Sequence, residues 1–163
     1  MASKKGVAIT AIIAAAIVGS SFLIWIIPQS SSPSSMIELP PDDNGIISDV
    51  YSRHQTRATN IESNFEQWKS GEVTAGDMLS QVSRDRSDIQ NMRQQLDSAS
   101  PAQEWQQSYD LYIQALDSFL KYLDTMQTII VENNVTPDSN LKLDALKQEW
   151  QGYVDSSVNA MPI

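Results

Sequence analysis

The sequence predicts an all-α protein with one N-terminal transmembrane helix, a Ser/Pro-rich spacer and an exported antiparallel four-helix bundle. Three observations predict it. Residues 6–27 form a run of 22 positions without a charged side chain. Residues 28–44 include four Pro and five Ser, which disfavour a continuous helix. Over residues 45–163, apolar side chains recur at steps of three and four, the period of a helix that buries one face.

The charge-free run is long enough to cross a membrane, because at 1.5 Å per residue its helix would span about 33 Å. Lys4 and Lys5 precede the run, and the first basic residue after it is Arg53. The positive-inside rule therefore predicts that residues 1–5 are cytoplasmic and that the chain after residue 27 is extracytoplasmic. A cleaved signal peptide is the alternative, although its apolar region is usually only about 7–15 residues long.

Small residues mark one face of the predicted transmembrane helix. Ala11, Ala15 and Gly19 recur every four residues, so they share one side of it. Small side chains at this spacing allow a second transmembrane helix to approach closely. We interpret them as a packing face for other transmembrane subunits; the alternative is that alanine merely fills an apolar segment.

Start and stop signals divide residues 45–163 into four helices. Gly71 ends the first, and Thr74 caps the second. Ser100 followed by Pro101 predicts the start of the third, and the fourth is predicted to start near Pro137 or Asp138. Short connections make successive helices antiparallel neighbours, so the four apolar stripes should meet in one core. A three-helix array whose fourth helix packs on a partner is the structural alternative.

Composition excludes several classes of function. The formal net charge of −9 argues against nucleic-acid binding, which needs a basic surface. The absence of Cys excludes disulfides and thiolate chemistry, and a single His excludes a multi-histidine metal site within one chain. Neither of the glycine-rich phosphate-binding motifs occurs. We therefore expect no catalytic residues, no cofactor and no metal in this chain.

Two sets of side chains require a choice between binding and packing. His54 lies on the apolar stripe of the first helix, but Tyr51 stands where a di-metal bundle would place the Glu of its Glu-x-x-His pattern. We therefore favour a structural histidine over a metal ligand. Aromatic residues could form a ligand cage, but their stripe positions favour the core; they are Trp68, Trp105, Tyr109, Tyr112, Phe119, Trp150 and Tyr153.

Charged residues spaced by seven predict contacts between the second and third helices. Asp110, Asp117 and Asp124 form a column on the third helix, and Arg86 and Arg93 form one on the second. Antiparallel packing could join the columns as surface ion pairs, each contributing about 0–1 kcal/mol. Cation binding or docking of a basic partner is the alternative interpretation.

A modification motif lies in the predicted loop before the fourth helix. Asn134-Val135-Thr136 matches the N-glycosylation sequon, which indicates an exposed loop on the exported side. The Pro137 that follows lowers the occupancy expected for this sequon.

Three phrases of the sequence resemble small single-span proteins of ammonia-oxidising archaea: KKGVAITAIIAAAIVGSSFLIWIIPQ, FEQWKSGEVTAGDML and SPAQEWQQSYDLYIQALDSFLKYLDTM. Such proteins carry an exported helical bundle, and helical accessory subunits of archaeal ammonia monooxygenase are of this kind. The resemblance implies a scaffolding role in that complex. It implies no copper site here, because the family's copper ligands belong to other subunits.

The sequence thus predicts a non-catalytic accessory subunit that stabilises a larger membrane protein complex. We expect it in the cell membrane, with the membrane and other transmembrane subunits as partners and no nucleic acid. The alternative is a free-standing exported helical module that binds a solute or a cation through its acidic surface.

Overall fold

The computed structural model describes residues 42–162, which form four α-helices. They are α1 (Asp43–Ser70), α2 (Ala75–Ser98), α3 (Gln106–Glu132) and α4 (Pro137–Asn159). Within this range no residue is in a β-strand, and no helix is long and apolar enough to cross a membrane. The predicted transmembrane helix and its packing face, Ala11, Ala15 and Gly19, lie outside the described residues.

Contacts between side chains establish an antiparallel bundle. Arg57 of α1 pairs with Asp88 of α2 at 2.6 Å, and Asn64, later in α1, bonds to Gln81, earlier in α2. Residue numbers rise along one helix as they fall along the other, so the two helices are antiparallel. The same relation holds for successive later helices, in the pairs Arg86–Asp124, Arg93–Asp117, Ser108–Ser157 and Ser118–Glu149.

α4 also returns alongside α1 and closes the bundle. Lys147 of α4 pairs with Glu62 of α1 at 2.6 Å, and the rings of Trp150 and His54 are 5.1 Å apart between centroids. The predicted antiparallel four-helix bundle is therefore the fold of the described residues.

Local capping accounts for most helix boundaries. The Thr74 hydroxyl accepts a hydrogen bond from the Asp77 amide at 3.1 Å, which confirms the predicted cap of α2. Gly71 ends α1 in the left-handed conformation with φ +84°, which glycine adopts without a side-chain clash. α1 begins at Asp43 rather than after residue 44, where the predicted linker ends, because the Asp42 carboxylate accepts the Gly45 amide at 2.7 Å.

The predicted start of the third helix at Ser100 is wrong. α3 begins at Gln106, and residues 103–105 form a turn in which the Trp105 amide donates to the Ala102 carbonyl at 2.8 Å. A cap at Ser100 would need the amide of Ala102 or the next residue. The Ala102 amide instead donates to the Asp43 carboxylate of α1 at 2.9 Å, so a tertiary contact displaces the local signal.

α3 supplies most of the core. Twelve of its residues are buried, against six in α1, six in α2 and four in α4. Tyr112, Phe119 and Leu123 of α3 are fully buried, and burial of one such side chain contributes about 1.5–3 kcal/mol. α3 is therefore the element on which the other helices pack.

Two buried serines join α3 to α4. The Ser108 hydroxyl donates to the Ser157 carbonyl at 2.9 Å, and the Ser157 hydroxyl donates to the Ser108 carbonyl at 2.8 Å. Both side chains are inaccessible to solvent, so each hydroxyl needs a protein partner and finds it on the other helix. The reciprocal pair stabilises this antiparallel register.

Candidate functional site

The charged columns on α2 and α3 meet along one groove of the bundle. Arg93 Nε donates to Asp117 Oδ1 at 2.7 Å, and Arg86 pairs with Asp124 one heptad away. Arg86 also donates to Gln127 Oε1 at 2.9 Å. We call these four charged residues, Arg86, Arg93, Asp117 and Asp124, the α2–α3 ion-pair row.

Asp110 belongs to the predicted column but lies beyond the row. Within the described residues it makes no ion pair, and it is exposed. The register explains this: Arg86 faces residue 124 and Arg93 faces residue 117, so a further heptad places Ser100 opposite Asp110. Ser100 is uncharged and follows the end of α2 at Ser98. The helix ends before the column does.

The ion-pair row is accessible to solvent. The Arg93 and Asp117 side chains are more than one third exposed. The hydrogen bond and negative charge of Asp117 raise the pKa of Arg93 above its ordinary value, so Arg93 stays cationic. Since solvent screens such pairs, their contribution to the free energy of folding is small, about 0–1 kcal/mol each. Their arginines and aspartates neutralise each other across the two helices.

His54 lies at the centre of the bundle among aromatic rings from α3 and α4. Its side chain is fully buried, and Nδ1 is 3.1 Å from the Tyr112 hydroxyl. Ring centroids lie 4.7 Å from Phe119 and 5.1 Å from Trp150. We call His54, Tyr112, Phe119 and Trp150 the His54 cluster. The cluster joins three helices. Tyr112, Phe119 and Trp150 are buried in the core, as their stripe positions predicted.

Burial decides the chemistry of His54. Loss of solvation lowers its pKa from 6.5 to about 3, so the imidazole is neutral at neutral pH. Within the described residues, His54 Nε2 and Trp150 Nε1 have no hydrogen-bond partner. A neutral imidazole enclosed by rings does not reach a substrate in solvent. His54 therefore acts in packing.

The arrangement around His54 does not favour metal binding. Its first neighbours are a phenol, a phenyl ring and an indole, and these rings are poor metal ligands. Among residues 42–162, no group of three or more His, Asp or Glu side chains is arranged to hold a metal ion.

Asp85 is a buried carboxylate that we did not predict from the sequence pattern. It is 1% exposed, with one oxygen 3.4 Å from Arg57 and the other without a partner in the described residues. Burial raises its pKa, and the nearby Arg57 partly opposes that effect. Its burial could have been predicted from the sequence, because Asp85 occupies the position between Val82 and Ile89 on the apolar stripe of the second helix. It joins α2 to α1 beside the Arg57–Asp88 pair.

An open cleft lies between the end of α3 and the start of α4. Its volume is about 320 Å³, and its lining combines the apolar Ile129 and the cationic Lys142 with carboxylates, hydroxyls and one asparagine: Asp124, Glu132, Thr125, Thr128, Ser139 and Asn134. A second open depression continues from it towards Arg86 of α2. The polar groups of this lining could form hydrogen bonds to a hydroxylated ligand. We call it the α3–α4 cleft.

Apolar side chains are exposed at the same end of the bundle. Val131 is 65% exposed, Leu141 is 67% exposed, and Val135 lies between them in the connection from α3 to α4. We call these three residues the apolar tip. It lies at the end of the bundle opposite the start of α1, where the chain enters from the predicted spacer.

The comparisons with known proteins give no relatives: no protein-family model, no curated protein and no solved structure matches this chain.

Proposed function

We propose that this chain is a non-catalytic, membrane-anchored accessory subunit, whose exported bundle stabilises a larger membrane protein complex. The observation that carries the proposal is that the reactive side chains pack or pair with other residues of the bundle. The chain's only His is enclosed by aromatic rings, and Arg57, Arg86 and Arg93 are paired with carboxylates of neighbouring helices. Groups that an enzyme would direct at a substrate here connect helices to one another.

The bundle has the properties expected of a rigid support. Polar links run between α1 and α2, α2 and α3, α3 and α4, and α4 and α1. The large side chains of α3 fill the interior between these links. A domain held by packing and by links on every side resists bending, which suits a support better than an enzyme that closes on its substrate.

The membrane part of the proposal comes from the sequence. The uncharged run over residues 6–27 would anchor the chain, and Ala11, Ala15 and Gly19 would contact a neighbouring transmembrane helix. The resemblance to single-span proteins of ammonia-oxidising archaea suggests ammonia monooxygenase as the complex.

A free-standing binding module is the second candidate, and the α3–α4 cleft is the observation that favours it. The cleft is open and about 320 Å³ in volume, near the lower limit for small-molecule sites, roughly 300–1,000 Å³, and its lining includes hydrogen-bonding side chains. A module would work without a stable protein partner, whereas an accessory subunit needs one.

Gentle detergent extraction of the full chain from its native membrane, followed by mass spectrometry of co-eluting proteins, separates the two candidates. We expect one partner in constant ratio. The double variant Ala15→Leu with Gly19→Leu should still insert into the membrane but should no longer co-elute with the partner, because the larger side chains prevent close approach of the neighbouring helix. Thr10→Leu with Ser20→Leu is the matched control, since in a helix these positions lie on the opposite face.

The ion-pair row provides a second comparison. Asp117→Asn with Asp124→Asn should retain the partner, because these carboxylates are occupied within the bundle. Loss of the partner in this variant alone would move the interface to the exported bundle. A monodisperse, partner-free protein in every sample would contradict the subunit and leave the binding module.

A further inference from the structure

We propose that Asn134 is N-glycosylated and that the first sugars of its glycan lie in the α3–α4 cleft beside the apolar tip. The inference rests on the extracytoplasmic location in the proposed function. The sugar donor for this modification is a lipid-linked oligosaccharide, and a membrane-bound transferase on that side of the membrane transfers the sugars to Asn134.

The backbone around Asn134 presents its side chain to solvent. Asn133 ends α3 in the left-handed conformation with φ +46°, and the chain turns sharply there. The Asn134 amide donates to the Ile129 carbonyl at 3.1 Å, and the Asn134 carbonyl accepts from the Ser139 hydroxyl at 3.3 Å. Its backbone is thus fixed. Its exposed side chain, in contrast, makes no hydrogen bond within the described residues.

The cleft next to Asn134 has the chemistry that sugar hydroxyls need. The Glu132 carboxylate can accept hydrogen bonds, as can the Asp124 carboxylate, one oxygen of which pairs with Arg86. The Thr125 hydroxyl can both donate and accept, whereas the Thr128 hydroxyl donates to the Asp124 carbonyl at 3.0 Å and can only accept from a sugar. Since Asn134 itself lines the cleft, a sugar joined to its side chain begins at the cleft and not at a distance from it.

The apolar tip gives a second reason to place a glycan here. Val131, Val135 and Leu141 lie within seven residues of Asn134 along the chain and are all exposed. Pyranose rings carry C–H faces that pack on aliphatic side chains, while their hydroxyls remain in water. A glycan at Asn134 would therefore shield a cluster of apolar surface that otherwise faces solvent.

The transfer step balances with that donor. Asn134 Nδ2 forms a bond to the anomeric carbon of the first sugar and loses one proton to a basic group of the transferase. The bond from that carbon to the phosphate oxygen breaks, and the lipid-linked phosphate leaves with the electron pair.

The fold dictates when this step occurs. The sequon hydroxyl, Thr136 Oγ1, accepts the Ser139 amide at 3.1 Å and so caps α4. A transferase that reads this hydroxyl must reach it before α4 is capped, during or soon after export. Pro137 follows the sequon directly and slows the transfer, so we expect partial occupancy.

The test is mass spectrometry of the full chain purified from its native membrane. Trypsin should release residues 122–142 as one peptide, because no Lys or Arg lies between Lys121 and Lys142. We expect two populations of this peptide, one unmodified and one heavier by whole sugar residues, with fragmentation placing the sugars on Asn134. Asn134→Gln should lose the heavier population, and Pro137→Ala should enlarge it.

Two matched controls separate the sequon from the loop. Asn140→Gln changes an asparagine of the same peptide that is outside any sequon, and it should keep the sugars. Thr136→Ser keeps both the sequon and a capping hydroxyl, and it should keep them too. In addition, Asn134→Gln should bind more of an apolar-surface dye than the glycosylated protein. Equal dye binding by the two proteins would contradict the shielding of the apolar tip.

Protease added outside intact cells distinguishes the two possible failures. If protease releases the bundle and residues 122–142 carry no sugar, glycosylation is overturned while the proposed location stands. If the bundle resists external protease and carries no sugar, the proposed location fails and the inference fails with it.

Discussion

His54 of α1 and Tyr112 of α3 meet in the middle of the bundle, with 3.1 Å between His54 Nδ1 and the phenolic oxygen. The contact crosses the bundle between helices that are not consecutive in the chain. Burial lowers the pKa of His54 to about 3 and raises the pKa of Tyr112 well above 10, so both groups are neutral near pH 7. A titratable group at the centre of the core makes the stability of the bundle depend on pH.

The bundle should lose stability as the pH falls below about 6. Because the folded pKa of His54 is lowered from 6.5, the unfolded chain binds a proton between pH 6.5 and 3 that the folded chain does not. The His54 contribution is therefore present above pH 6.5 and is lost towards pH 3, at about 1.4 kcal/mol per pH unit. Urea unfolding of a fragment starting at Met36, measured at several pH values, checks this.

The control replaces both partners, His54→Phe with Tyr112→Phe, so that no buried hydroxyl is orphaned. Its unfolding free energy should fall less steeply below pH 6. Asp85 has the opposite effect, because its raised pKa stabilises the fold as the pH falls. Asp85→Asn should therefore steepen the loss. Identical slopes in the parent and the double variant would show that His54 is not the group that titrates.

Phe119→Ala should lower the free energy of unfolding by about 3–5 kcal/mol. The ring is fully buried and packs against both His54 and Trp150, so its removal leaves a cavity where three helices meet. Leu141→Ala at the exposed apolar tip is the control and should change stability by less than about 0.5 kcal/mol. Similar losses in the two variants would contradict a core centred on α3. Denaturant titration followed by circular dichroism measures both.

Two glycine-to-alanine changes should act in opposite directions. Gly71 has φ +84°, where alanine is strained, so Gly71→Ala should destabilise the bundle by about 1–2 kcal/mol. Gly152 lies inside α4 with no atom within 4 Å of an added Cβ, so Gly152→Ala should stabilise it by about 0.5–1 kcal/mol. Thermal unfolding of both variants checks the signs. A stabilising Gly71→Ala would mean that α1 does not end at this residue.

Loss of an acid from the α2–α3 ion-pair row should cost little and should depend on salt. Asp117→Asn and Asp124→Asn should each lower stability by at most about 1 kcal/mol at low ionic strength, because these pairs are solvated. At 1 M salt the loss should disappear. Asp110→Asn is the control from the same column and should be neutral at both salt concentrations. A large loss that survives high salt would indicate buried, unscreened pairs.

The periodicity of the sequence was sufficient to predict the four helices and the antiparallel bundle. The Thr74 cap and the Gly71 stop were also predictable, because a cap or a stop depends on residues close in the chain. The seven-residue spacing of Arg86 and Arg93 and of the aspartates placed these residues on facing columns. The start of α3 was not predictable from the Ser100 signal, since Asp43 of α1 takes the Ala102 amide.

The sequence by itself determined which residues form each helix stripe, because helical period and capping are local properties. Only the tertiary structure decided which polar groups meet inside the bundle. His54 pairs with Tyr112, Ser108 with Ser157, and Asp85 lies buried beside Arg57. These partners come from different helices, and small shifts in helix register would exchange them. The packing of large side chains around α3 fixes that register, and no local signal in the chain encodes it.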